Sequence, residues 1–268
     1  MKPIVFLENS KRRNILFNIL KEFGFKAIED FQRVMKIAVD GVFGLESWNA
    51  LYRHILKVDN INGYFEGAYH KQVYEKKMIV WHHSAGNDNA KGMFVDWKTD
   101  KRFHVATCIG IQDDGTIVRG YSEEFWAVHV GAYDVRLPNY FQIETQSVGV
   151  EICNWGALVE KNGKFYNWVG NVEIPRSKVV ELNYKGTKYF EAYTDEEVKS
   201  LKYWSLLVAM RFNIPLVYRE KDMWEESANA KACMPGIYTH NSFISWKTDV
   251  SPQPKLIAMA KSLEEYEK

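Results

Sequence analysis

Residues 78–86 read M-I-V-W-H-H-S-A-G. An apolar, β-branched and aromatic run delivers two adjacent histidines and then breaks into small residues. That is how a buried strand presents a side chain at its end, where a loop opens a site. Neighbouring side chains of a strand point to opposite faces. His82 and His83 therefore cannot aim at one point, and only one of them is expected to reach a ligand. Taken alone, the pair fits a structural role as well as a metal site, so the decision lies in the rest of the chain.

Downstream of this stretch, residues 106–111 and 116–121 flank Q-D-D-G, a hairpin with Asp114-Gly115 at its tip. S-V-G-V-E-I, residues 147–152, reads as a second buried strand. Residues 154–192 hold the turn signals N-W-G and K-N-G-K among aromatics and read as an inserted hairpin region. The clearest helix covers 194–212: Thr194 with Glu197 forms a capping-box pattern, and Val198, Leu201, Trp204 and Val208 supply an apolar stripe. Residues 214–218 read as a last strand, and Pro254 opens a terminal helix through Leu263. Upstream, Ile15, Leu16, Ile19, Leu20 and Phe23 recur at helical spacing and stop at Gly24, and Ala27, Ile28, Phe31, Val34 and Met35 repeat the pattern. Asp40-Gly41 then makes a tight turn, and Gly44 precedes a helix with Trp48 and Leu51. The expected fold class is α/β, a mixed central sheet flanked by helices, with a small helical domain in front. The expected division is 1–60 for the helical domain, 61–75 for a linker and 76–268 for the α/β domain.

Composition narrows the function classes. The 268 residues carry 35 Lys and Arg against 34 Asp and Glu, a formal charge of +1, which excludes a strong electrostatic footprint for nucleic acid. Aromatics reach 15%, most simply for core packing. Cys108, Cys153 and Cys233 are odd in number and widely spaced, with no C-x-x-C pattern, so neither a disulfide framework nor a cysteine zinc site is expected. No stretch has the length of a membrane span, and the N-terminus lacks the apolar run of a signal peptide.

Several polar residues sit oddly in this framework. Glu151 lies inside an otherwise apolar strand, where a carboxylate is costly without a partner. Alternation places it with Gly149 and Cys153, away from Val148, Val150 and Ile152. His240 follows P-G-I-Y-T, and Asp249 ends W-K-T-D with Lys247 two residues before it. Two histidines and a carboxylate suffice for a catalytic zinc site that keeps its fourth position for water. Glu151 is then a candidate general base and Lys247 a cation for developing negative charge.

I-V-W-H-H-S-A-G, the D-G-T-I hairpin, W-A-V-H-V-G, S-V-G-V-E-I and the K-T-D that follows His240 occur in this order. As a set they resemble the type 2 N-acetylmuramoyl-L-alanine amidases, a family that includes phage endolysins, bacterial recycling amidases and animal peptidoglycan recognition proteins. F-Q-x-x-x-x-I-x-V-D-G-V-F-G-x-x-S-W-x-A-L, from Phe31 to Leu51, is similar to the peptidoglycan-binding type 1 domain, a three-helix module. The resemblance implies Zn2+ held by His82, His240 and Asp249, with Glu151 and Lys247 catalytic. It also implies that His129 of W-A-V-H-V-G touches substrate. His83 then faces away as a structural histidine, and Cys233, which precedes His240, is a small hydrophobe. Thr239 stands where glycine is common before the second histidine. Thr107 and Cys108 stand where some phage members carry a catalytic tyrosine, which leaves base catalysis to Glu151. His104, near this strand, reads as exposed or structural.

The implied activity is hydrolysis of the amide between N-acetylmuramic acid and L-alanine of the stem peptide. The chain resembles a phage endolysin that lyses the host wall, with bacterial peptidoglycan as partner and a monomer as the working form. Without a signal peptide it is expected to collect in the host cytoplasm until a holin-type pore releases it. A non-catalytic peptidoglycan recognition protein and a zinc hydrolase cutting another wall bond are the alternatives.

Overall fold

The structure is a computed structural model and is described here for residues 9–60, 67–99, 105–133 and 135–268. His104 and residues 61–66 of the expected linker lie outside these. Three helices come first: α1 (Ser10–Glu22), α2 (Ile28–Met35) and α3 (Leu45–Ile55). Asn9 caps α1 by accepting from the amides of Lys11 and Arg12. Gly24, just beyond its end, has φ +84°, a left-handed conformation that suits glycine.

A six-stranded sheet forms the centre of the molecule. Its members are β1 (Val58–Asn60), β2 (Met78–His83), β3 (Ile109–Ile111), β4 (Ile117–Arg119), β5 (Ser147–Ile152) and a late strand, Gly236–Thr239. The order is β1-β4-β3-β5-β2 and then the late strand. β3 and β4 pair antiparallel as the expected hairpin, and the other neighbours run parallel. Helices α4 (Ala90–Thr99) and α5 (Tyr140–Thr145) connect these strands.

The inserted region makes a separate five-stranded sheet of β6 (Ala157–Lys161), β7 (Lys164–Asn167), β8 (Glu173–Ile174), β9 (Val179–Tyr184) and β10 (Thr187–Glu191). Helix α6 (Asp195–Phe212) follows, with both halves of the Thr194–Glu197 capping box formed. Two short helices, α7 (Glu220–Trp224) and α8 (Ala228–Lys231), lead to the late strand, hereafter β11, and α9 (Pro254–Leu263) closes the fold. Among the described residues, no helix is long and apolar enough to cross a membrane.

The expected strand at 214–218 is not there. Pro215 has no amide hydrogen to give a ladder, and the amides of Leu216 and Tyr218 bond instead to the carboxylates of Glu267 and Glu264. The final strand of the sheet is G-I-Y-T at 236–239, directly before His240.

Two apolar layers cover the sheet. On one face Ile79, Trp81, Val148, Val150 and Ile152 pack toward α6, and the Trp81 indole donates to Ser205 Oγ at 3.2 Å. On the other, Met78, Val80 and Tyr238 pack with Val130, Ile143, Phe243 and Ile244. With both faces covered, β2 and β5 are buried along their whole length, as parallel strands usually are. Cys153, one residue past β5, joins the layer on the α6 side, although strand alternation would have placed it with Glu151.

The N-terminal helices share that α6-side core. Ile15, Leu16, Ile19, Phe31, Trp48 and Leu51 belong to the same apolar cluster as Trp204 and Leu207. Polar links reinforce the junction: Tyr52 donates to Glu123 at 3.0 Å, Tyr203 donates to Glu22 at 2.6 Å, and the Arg211 guanidinium lies over Trp48.

Candidate metal centre and catalytic groove

Register brings the site together. β2 and β5 pair so that His82 lies opposite Glu151, and β11 pairs with β2 so that Thr239 lies opposite Trp81. His240, the next residue, starts a 3-10 turn beside His82. Equal register on parallel neighbours puts side chains on one face. His82 and Glu151 therefore emerge together, opposite the face where Trp81 meets α6. Ligand sites of open α/β sheets commonly lie at these carboxyl ends of parallel strands. An open groove of about 370 Å3 is lined there by His82, Glu151, His240, Lys247 and Asp249, with Trp97 and Trp246 among its walls.

Within the groove three acceptor atoms converge. His240 Nδ1 lies 2.8 Å from Asp249 Oδ2, His82 Nδ1 lies 3.1 Å from His240 Nδ1, and His82 Nδ1 lies 3.6 Å from Asp249 Oδ2. All three residues are buried, and among the described residues they are the set that could hold a metal ion. Ligands about 2.0–2.1 Å from a tetrahedral zinc stand roughly 3.3 Å from one another, and the three separations bracket that value. Two ring nitrogens and a carboxylate oxygen packed this closely, with the rings neutral, repel one another unless a cation or a proton lies among them. The donor set and its spacing fit zinc.

Charges follow from this burial. Desolvation pushes the His82 ring down to about 4, opposed by its contact with Asp249, so the ring is neutral at ordinary pH. Burial also works against an ionised Asp249, but His240 and His82 outweigh it and hold its carboxyl well below the usual range. Burial drives the Glu151 carboxyl well above its ordinary value, the charge of Asp249 adds to this, and Lys247 opposes it. Among the described residues no donor reaches the Glu151 carboxylate, so it faces the groove with its proton-accepting oxygens uncommitted.

His83 lies on the opposite face from His82. Its Nδ1 is 2.9 Å from the Tyr193 hydroxyl, and burial lowers it to about 4. Gly156, at φ +67°, leaves it room: a Cβ there would lie 2.3 Å from His83 Nε2. His129 is buried below His82, with its Nδ1 2.9 Å from His82 Nε2, and burial pushes its pKa well down. Cys233 is half-buried against the second apolar layer, away from the metal-ligand set. Thr107 packs beside Gly149, and among the described residues no tyrosine lines the groove.

Sequence reasoning missed the residues that hold this arrangement from behind. The Glu144 carboxylate accepts from the amides of His129, Val130 and Ala132 at 2.9, 3.1 and 2.9 Å. His240 Nε2 lies 2.9 Å from the Val130 carbonyl, and Ser147 Oγ takes the far nitrogen of His129 at 2.7 Å. In F-Q-I-E-T-Q-S nothing marks Glu144 or Ser147, because short polar-rich helices read as surface. The inserted sheet is also tied to both rims of the groove. The Trp168 indole donates to the Ala85 carbonyl at 2.8 Å, and the Lys185 ammonium donates to the Lys247 carbonyl at 2.7 Å and to Asn241 at 3.1 Å.

Sheet order and side-chain set together suit a hydrolase that works at the carboxyl ends of parallel strands. The chain belongs to the N-acetylmuramoyl-L-alanine amidase family, whose sequence profile matches residues 72–254, more than half of it. No curated protein matches it in sequence. Among solved structures, PlyL is similar at 15% identity and a TM-score of 0.45, over 78% of this chain and 96% of that one. The N-acetylmuramoyl-L-alanine amidase LysC from Clostridium intestinale URNW gives 14% and 0.44, over 77% and 97%. The Ph2119 endolysin from Thermus scotoductus MAT2119 bacteriophage Ph2119 gives 12% and 0.40, over 77% and 98%.

Proposed function

We propose that this amidase is zinc-dependent, that His82, His240 and Asp249 hold the ion, and that it cuts the bond between N-acetylmuramic acid and L-alanine in bacterial peptidoglycan. The convergence of three acceptor atoms 2.8–3.6 Å apart beside Glu151 carries this reading. Bound there, zinc supplies Lewis-acid chemistry, acidifying water toward pKa ~7 and polarising a carbonyl. The residues do the rest. Glu151 removes the proton of the attacking water and returns it to the leaving L-alanine amine. A raised pKa suits both halves of that task, and a nearby dication draws the carboxyl back toward ionisation. The Lys247 ammonium stabilises charge developing on the carbonyl oxygen. Mass spectrometry of digested peptidoglycan tests the bond assignment: free stem peptides with an L-alanine amino terminus are expected, and intact stems on shortened glycans would refute it.

The resemblance of residues 31–51 to a wall-binding module extends the proposal to the N-terminal helices. Val34, Val39, Val42 and Leu45 stand exposed on this unit, around the Asp40-Gly41 turn. They give residues 1–60 an apolar surface for the wall. The full chain with Val39→Glu and Val42→Glu is expected to co-sediment less with purified sacculi while hydrolysing soluble fragments normally. In this reading the protein is a phage endolysin working as a monomer, held in the host cytoplasm until a holin-type pore admits it to the wall.

A further inference from the structure

We propose that His129 is a positioning residue which, with Ser147 and Glu144, fixes the proton on the remote nitrogen of His82 and leaves Nδ1 free to bind metal. The inference rests on the metal-site reading above and extends it to residues outside the proposed ligand set.

The Ser147 hydroxyl has one hydrogen, and it donates that hydrogen to the Ile143 carbonyl, a group that can only accept. Ser147 Oγ is therefore the acceptor in its 2.7 Å contact with His129 Nε2, which must carry a hydrogen. A neutral imidazole has one N–H, so His129 Nδ1 is a bare acceptor facing His82 Nε2 at 2.9 Å. His82 then donates from Nε2, and its lone pair sits on Nδ1, the atom that faces His240 and Asp249. One backbone carbonyl on α5 thus sets the tautomer of His82 through two intervening side chains.

His240 is oriented by a shorter route. Its Nε2 is 2.9 Å from the Val130 carbonyl, which also only accepts, so that nitrogen carries a hydrogen and Nδ1 is turned toward Asp249 Oδ2 at 2.8 Å. The partners of both imidazoles thus come from adjacent residues, 129 and 130. That segment is held by the Glu144 carboxylate, which takes the amides of His129, Val130 and Ala132. Gly149 completes the fit, because a Cβ at that position would lie 2.9 Å from His129 Cγ and Nδ1. Both ring nitrogens of His129 are engaged by protein partners, so its part in the groove it lines is played through His82.

The test uses the full chain, with zinc affinity measured by competition against a chromophoric chelator. Partners of this kind are worth about 10–100-fold in metal affinity. Ser147→Ala, which leaves all proposed ligands in place, is expected to weaken zinc binding by about that factor, with KM at saturating zinc unchanged. His129→Ala should show the same loss, and His129→Gln, whose amide oxygen can accept from His82 Nε2–H, should regain part of it. Long-range 1H–15N spectra of the metal-free protein should show His82 as the Nε2–H tautomer. His82 protonated at Nδ1, wild-type zinc affinity in Ser147→Ala, or a raised KM with wild-type zinc affinity in His129→Ala would each overturn the inference while leaving the metal site standing. Absence of zinc binding by the wild-type chain would bring down both.

Discussion

In the six-stranded sheet, β2 and β5 are buried at every position, whereas in the five-stranded sheet β9 alternates between half-covered and exposed residues beyond Val179 and β10 is buried only at Phe190 and Glu191. The same backbone geometry therefore gives polar side chains two different meanings. On β9 and β10, Glu181 and Lys188 pair at 3.4 Å in solvent, where such a contact is worth little. On β2 and β5, His82 and Glu151 sit where an uncompensated polar group costs several kcal/mol; His82 is met by His129 and His240, and Glu151 opens on the groove. The buried polar groups of the second sheet, Asn167 and Glu191, are taken up by backbone amides, whereas Glu151 of the first faces the groove.

Removing the buried polar groups should have the largest effect. Glu151→Gln should lower turnover by about 10²–10⁴-fold, the usual worth of a general base, while elemental analysis still finds zinc. His82→Ala should lose both zinc and activity. A glutamine variant that cleaved peptidoglycan at near wild-type rate would return Glu151 to a structural role. Stability gives the next contrast. Ile79→Ala, fully buried in β2, should cost about 2–5 kcal/mol in chemical denaturation, against less than about 0.5 kcal/mol for Val159→Thr on the exposed side of β6.

Titration sharpens the comparison further. Burial holds His83 at about 4, below its ordinary 6.5. The unfolded chain therefore binds more protons between those values, and stability present above pH 6.5 is lost as pH falls toward 4. Metal-free protein should show this fall in its denaturation midpoint, and His83→Gln should flatten it by up to about one proton. The smallest effect belongs to the tie between the two sheets. Lys185→Ala removes the ammonium bonded to the Lys247 carbonyl and Asn241, and a few-fold drop in kcat with unchanged zinc affinity is expected, on the order of one hydrogen bond. Unchanged steady-state kinetics would show that the inserted sheet does not steady the Lys247 loop.

Where the chain was legible follows the same division. I-V-W-H-H and S-V-G-V-E-I are near-continuous apolar runs because both their faces are covered, so their bounds and their misplaced polar residues stood out. Helix α6 was legible from its capping box. The strand leading to His240 was not, since G-I-Y-T is four residues long and follows a proline. I-P-L-V-Y at 214–218 has strand composition, but its amides are taken by glutamates at the far end of the chain, a contact that local pattern cannot encode. The proposed metal ligands were readable as residue types. The supports behind them were not, because Ser147 and Glu144 matter only through which atom lies next to which.

The edge strand β1 also has a bearing on truncation. Three residues, 58–60, pair in parallel with β4 and form the outer boundary of the central sheet on that side. A chain cut back to the amidase-like region would leave the hydrogen-bonding groups of β4 open to pairing with a second molecule. It would also strip the N-terminal helices from the apolar layer they share with α6. Residues 9–60 thus guard the sheet's edge and cover α6, and a shortened protein is expected to trade solubility for size.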